Sequence, residues 1–138
     1  MEPLFSDKYI SISESEGILE LCFKKETENL TDDDFKRSAL KWIEVVKSKK
    51  SNQLLVDMRN FNYALSPTMI DWRNKNIVAG YNEVGVEKFA FVSNKPTVKQ
   101  DDPSNTFISR DFSTKQLAET WLRNGKWGTV ATFCYISA

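Results

Sequence analysis

Asp57 and Arg59 close an apolar run and are the residues of this chain best placed to do chemistry. Leu54, Leu55 and Val56 stop at Asp57, polar residues follow, and Ser66-Pro67 opens a second periodic segment. Residues 53–72 therefore read strand, loop, helix, with the loop at the strand's carboxyl end, where open α/β sheets place their ligands. There a carboxylate and a guanidinium could offer a ligand an acceptor and a two-pronged donor. The same pair could instead fix the loop by bonding to backbone groups or to each other. That structural role is favoured, because aspartates at strand ends often cap the loop that follows. Ser66 is a third candidate. Its hydroxyl suits a helix N-cap, and Pro67 suits the first helical position.

The chemistry on offer is narrow. Histidine is absent from all 138 residues, which removes the commonest general base, the usual catalytic triads and most zinc sites. There is no glycine-rich phosphate loop, no nucleophile elbow and no metal-ligand spacing; Asp101-Asp102 in a loop is a weak metal hint. Apart from Asp57, the carboxylates fall on expected solvent faces, so the separated pair of acid and base that catalysis needs is not apparent. Cys22, in an expected strand, reads as a small core residue. The expectation is a protein that is not an enzyme, with no metal and no cofactor.

Charge bounds the partners. Lys+Arg and Asp+Glu both number 19, a net charge of zero, whereas nucleic-acid binders advertise a basic face. Lys47, Lys49 and Lys50 sit at an expected helix end and Asp32, Asp33 and Asp34 at its start, where each sign suits the helix dipole. The first residues lack a basic segment followed by an apolar one, and no run approaches the roughly 18 apolar residues of a membrane span. Cys22 and Cys134 are expected as reduced thiols, and the location as cytoplasmic.

Periodicity supplies the elements that position these residues. Residues 9–13 and 18–24 alternate apolar and polar around a turn at Glu14-Ser15-Glu16-Gly17, a β-hairpin. Thr31 caps a helix whose buried stripe is Phe35, Ala39, Trp42, Ile43 and Val46, with Asp34 returning the capping interaction less well than Glu would. The helix opened by Ser66 carries Met69, Ile70, Trp72, Ile77 and Tyr81 and ends near Gly80 or Gly85. Residues 88–93 form a buried strand, 94–105 a proline-containing loop and 106–110 a last strand. Ser113 and Gln116 then make a capping box for a helix carrying Leu117, Ala118, Trp121 and Leu122, closed by Gly125. The order gives one α/β domain over residues 1–125: a mixed sheet of about five strands, a leading hairpin and about three helices. Residues 126–138 form an apolar tail, expected to add a strand or to cover an exposed flank of the sheet, within one chain or across an oligomer.

The hairpin, the LLVDMRNF strand, the Ser-Pro helix start, the KFAFVS strand and the closing FISRDFSTKQLAETWL together resemble the SpoIIAA-like, or STAS-type, α/β domains over roughly residues 8–124. The closest likeness is to small bacterial members with Asp-x-Arg after the central strand, here Asp57-Met58-Arg59. Those members finish in a phenylalanine, an N-cap and an Ala-x-x-Trp-Leu helix, here Phe112-Ser113 and residues 118–122. The resemblance implies a non-enzymatic regulatory domain that binds a protein partner. In the antagonist proteins of this fold a serine at this helix start is phosphorylated, and Ser66 keeps the same interval from Asp57. Leu65-Ser66-Pro67-Thr68 lacks the small residue and glycine that follow that serine, so Ser66 is read first as an N-cap. The fold is also similar to CRAL-TRIO lipid-transfer domains.

Three functions follow. The first is an interaction domain acting on a protein partner or its own oligomer, with Asp57, Arg59 and Ser66 as binding residues and Ser66 as phosphorylation site. The alternative is a module for a small hydrophobic or lipid ligand; the third is an enzyme using Asp57 and Arg59. An exposed Ser66 beside a flat apolar patch would favour the first. A large apolar cavity beneath the helices would favour the second, and a concave pocket joining Asp57 to Arg59 and another ionisable group the third.

Overall fold

Glu16 and Gly17 both adopt positive φ, 51° and 84°, the geometry a two-residue hairpin turn requires. They join β2 (Ile10–Ser15) to β3 (Ile18–Phe23), the expected hairpin with a tighter turn, since Glu14 and Ser15 pair with Leu19 and Ile18 in the strand. The computed structural model describes residues 2–98 and 100–124. Within them the chain folds as an α/β domain around one sheet in the order β1-β2-β3-β4-β5-β6. The remaining strands are β1 (Glu2–Ser6), β4 (Gln53–Asp57), β5 (Lys88–Val92) and β6 (Ile108–Phe112). The first three are antiparallel and β3 to β6 run parallel.

The sheet has six strands where five are expected from the sequence. The extra strand, β1, pairs along the edge of β2 with a register shift between Pro3 and Phe5. Its proline and short length are features of an edge strand and hide it from periodicity. The last strand lies two residues further on than expected. Lys88 pairs with Ile108, and Thr106 instead anchors the loop, donating from its hydroxyl to the Val86 carbonyl at 2.8 Å and from its backbone to Asn82 Oδ1 at 2.8 Å.

Helix α1 (Asp32–Lys49) begins at a capping box of Thr31 and Asp34. The return bond, from the Thr31 amide to Asp34 Oδ2, is long at 3.4 Å, as befits the shorter acid. Helices α2 (Pro67–Arg73) and α3 (Ala79–Val84) are joined by a π-helical turn, Asn74–Val78, into one continuous helical body. It ends at Gly85, φ 85°, while Gly80 stays within the helix. There an added Cβ would meet Ile43 Cγ1 at 2.6 Å, so Gly80 lets α1 and α3 approach closely. Helix α4 (Lys115–Arg123) is capped by Thr114, whose Oγ1 accepts from the Leu117 amide at 3.2 Å. The Ser113–Gln116 box does not form; the adjacent threonine takes the position.

The two faces of the sheet are covered unequally. Leu19, Leu21, Leu54, Val56 and Phe89 pack toward Trp42, Ile43 and Val46 of α1 and toward Ile77 and Tyr81. On the other face Ile18, Leu55, Ala90 and Val92 pack against Ala118 and Leu122 of α4. The connections β3–β4, β4–β5 and β5–β6 all step in one direction between parallel strands, so right-handed crossovers place them on the same face. The first two contain helices. The third has none among its described residues, which leaves the β5–β6 end of that face without a helical roof. The expected role of the 126–138 tail in covering such a flank falls on residues outside those described.

Candidate functional site

Asp57 ends β4 on the face of α4, and the structure brings it together with Arg59. Arg59 donates from Nε to Asp57 Oδ1 at 3.0 Å, from Nη2 to Oδ2 at 2.8 Å and from its own backbone amide to Oδ1 at 3.1 Å. Burial pushes the Asp57 carboxyl upward, but the Arg59 hydrogen bonds and charge outweigh it and hold the group below the usual carboxylate range. The pair thus spends its bonding capacity on itself and on the loop. Cys22 Sγ lies 4.0 Å from Asp57 Oδ2. It is only half-buried rather than a core residue, because its place in β3 points it to the polar rim of the α4 face. Burial, then Asp57 and Glu20, push its thiol up, the opposite of an activated nucleophile. Glu20, also on this rim, pairs with Lys115 at 2.9 Å.

Ser66 is exposed and its Oγ accepts from the Met69 amide at 3.2 Å, the N-cap geometry expected for it. Among the described residues no hydrogen bond or ion pair joins it to Asp57 or Arg59, so the three sequence candidates do not form one site. Asp101 pairs with Arg110 at 2.9 Å and Asp102 accepts from Ser104, both locally satisfied. A shallow surface pocket includes Arg59 with Lys25, Glu28 and Asn62, but not Asp57.

A second concave feature lies on the opposite face of the sheet. Between the sheet and the helices is a cavity of about 440 Å³, within the range of about 300–1,000 Å³ typical of small-molecule sites. Its floor is Leu21, Val56, Phe89 and Phe91, and its roof Phe35, Trp42, Ile77 and Tyr81. Phe107 and Ser109 of the β6 side close it where a third crossover helix would lie, and there Phe91 and Phe107 are half-buried rather than enclosed. Phe89 and Phe91 stack with ring centroids 4.6 Å apart, giving the floor a continuous aromatic surface.

Two loops shape the walls. Residues 58–66 supply Met58, Phe61 and Leu65. They are held by the buried Thr27, whose hydroxyl faces the Asn60 carbonyl at 3.0 Å and accepts from the Asn62 amide at 3.1 Å. Tyr63 bonds to the Asp32 carboxylate, and its phenol is pushed up to about 12 by burial and by that acid. On the other side Asn82 Nδ2 donates to Asn105 Oδ1 at 2.9 Å, tying the cavity-lining Asn105 to α3.

Polar groups are sparse in this cavity. Trp42 Nε1 donates to Tyr81 Oη at 2.8 Å, and burial drives the Tyr81 phenol far up, opposed in part by that bond and by the charge of Arg73. Arg73, the last residue of α2, also lines the cavity. Its Nη2 donates to Asn74 Oδ1 at 3.3 Å, but its Nε is fully buried with no hydrogen-bond partner among the described residues. An unpaired buried donor costs about 1–3 kcal/mol, so native proteins rarely leave one. The π turn that follows is a geometry often found at functional sites. Here Asn76 Nδ2 donates to the Trp72 carbonyl at 2.9 Å across that wide turn.

Sequence reasoning did not single out Arg73. The signal was present: Arg73, Ile77 and Tyr81 follow each other at four-residue spacing, so a charge stands in line with a buried stripe. Comparison with known proteins finds no matching family model, no matching curated protein and no matching solved structure. Among the described residues no helix is long and apolar enough to cross a membrane, and no group of Cys, Asp or Glu is arranged to hold a metal ion.

Proposed function

We propose that this chain is a non-enzymatic, cytoplasmic binding module of SpoIIAA-like type that holds a small, largely apolar molecule between its sheet and helices. The observation that carries this reading is the cavity of about 440 Å³ with its aromatic floor. Apolar groups at its open β5–β6 end remain partly exposed, which is unfavourable until something covers them. A ligand that fills it covers those groups and stabilises the fold by mass action. Asp57 and Arg59 bond to each other on the α4 side of the sheet, away from this cavity, and neither lines it.

The test is titration with N-phenyl-1-naphthylamine, a neutral fluorescent probe of apolar sites, beside a Val78→Trp variant that fills the cavity from the π turn. Saturable one-to-one binding that the variant abolishes, with the variant's circular dichroism unchanged, is the expected result. No saturable binding to the wild type, or equal binding by both proteins, removes the reading. Native mass spectrometry of protein purified from its own host would then weigh the bound molecule.

A protein partner is the second reading. Its support is Ser66, exposed at the start of α2, with Ile70 one turn further on at 40% exposed. A single apolar side chain is a small patch for a partner, and this places the reading behind the cavity.

A further inference from the structure

Among the described residues Arg73 is the one charged residue that lines the cavity, and no carboxylate lines it with Arg73. Among the described residues Arg73 forms no ion pair, its Nε is buried without a partner, and its charge is felt at the Tyr81 phenol. Tyr81 uses its oxygen to accept from Trp42, and no hydrogen bond donated by its own hydroxyl is found among the described residues. A cavity with an aromatic floor, one uncompensated cation and an available phenol donor is complementary to an amphipathic anion.

We propose that Arg73 anchors the head group of a small carboxylic acid whose apolar body lies along Phe89, Phe91 and Phe107. The inference rests on the cavity being a ligand site and adds the chemical class of what enters it. A guanidinium fork matches a planar carboxylate in geometry and charge. One cation balances one carboxylate, whereas a phosphate monoester would bring nearly two negative charges into a cavity with a single counter-charge. The turn at Asn74–Val78 sets where this head group sits, because Arg73 enters it and Ile77 and Val78 line the cavity beyond it.

The experiment compares decanoate with 1-decanol, equal in chain length and different in charge, by isothermal titration calorimetry on the full chain. Wild type is expected to bind decanoate at least about tenfold tighter than the alcohol. Arg73→Gln is expected to lose that preference while its affinity for 1-decanol stays within about twofold, and Arg73→Lys to keep part of the preference. Equal affinity of wild type for acid and alcohol overturns the anion anchor and leaves the cavity reading standing. A preference that survives in Arg73→Gln overturns the assignment to Arg73. Binding of the neutral naphthylamine probe without binding of either decyl compound overturns the acid proposal alone, and failure of all three ligands removes both readings. The wild-type comparison holds whether or not the variants fold.

Discussion

Trp42 Nε1 donates to Tyr81 Oη across 2.8 Å of buried space, joining α1 to α3 at the cavity roof. Removing the phenol oxygen by Tyr81→Phe keeps the ring against Phe89 and Phe107 but leaves the indole N–H with no acceptor. That desolvated donor should cost about 1–3 kcal/mol, read as a lower urea midpoint with an unchanged slope. A variant as stable as wild type would mean the bond contributes nothing net.

How far the sequence reaches is clear at three places. Thr31, Ser66 and Asp57 act where their neighbours alone put them, because caps and strand ends are local features. Strand β1 and the two-residue shift of β6 are not local: one is an edge defined by β2, the other a register defined by β5. The cavity is further from reach. The helix-free loop of residues 94–105 is legible, and a less covered flank follows from it. That the uncovered space would be walled by Phe107 and entered by Arg73 depends on side chains from the start of β6 and the end of α2 meeting across it. Sequence spacing assumes 3.6 residues per turn and has no means of anticipating the wide one.

Gly80 sets the distance between α1 and α3. A Cβ there would lie 2.6 and 2.7 Å from Ile43 Cγ1 and Cδ1, and Ile43 is buried with little room to move. Gly80→Ala should therefore destabilise by about 1–3 kcal/mol through overpacking, against the gain of roughly 1 kcal/mol that alanine normally brings to a helix interior. Pairing it with Ile43→Val, which deletes Cδ1, should recover at least about 0.5 kcal/mol relative to the sum of the single changes. Strict additivity in denaturant unfolding would show that the helices yield instead.

Asp57 and Arg59 make a pH-dependent contribution. The folded-state carboxyl titrates below its ordinary value, so the pair stabilises fully above the unfolded pKa of about 3.9 and loses that stabilisation as pH falls through the folded value. With Arg59→Gln the burial of Asp57 is less opposed and its pKa rises. The variant should then lose roughly 1–2 kcal/mol at pH 7, limited by solvent screening of the half-exposed arginine, and less near pH 3, below the unfolded pKa, where the pair's contribution is already declining. Unfolding curves at the two pH values compare these directly; an equal loss at both would place the effect in packing, not charge.

Ser66 is the residue at which capping and a phosphoswitch predict different outcomes. Its hydroxyl accepts from the Met69 amide, and α2 is held to the loop that walls the cavity through Leu65. Ser66→Ala should cost about 1 kcal/mol of stability, and Ser66→Asp should restore most of it, since aspartate caps as well as serine and adds a favourable charge at a helix N-terminus. Neither change touches the cavity floor, so affinity for the naphthylamine probe should shift by less than about twofold in both. If aspartate instead lowered stability below the alanine variant, or changed probe affinity tenfold, the hydroxyl would be acting as more than a cap, and the phosphorylation reading would gain the specific observation it lacks.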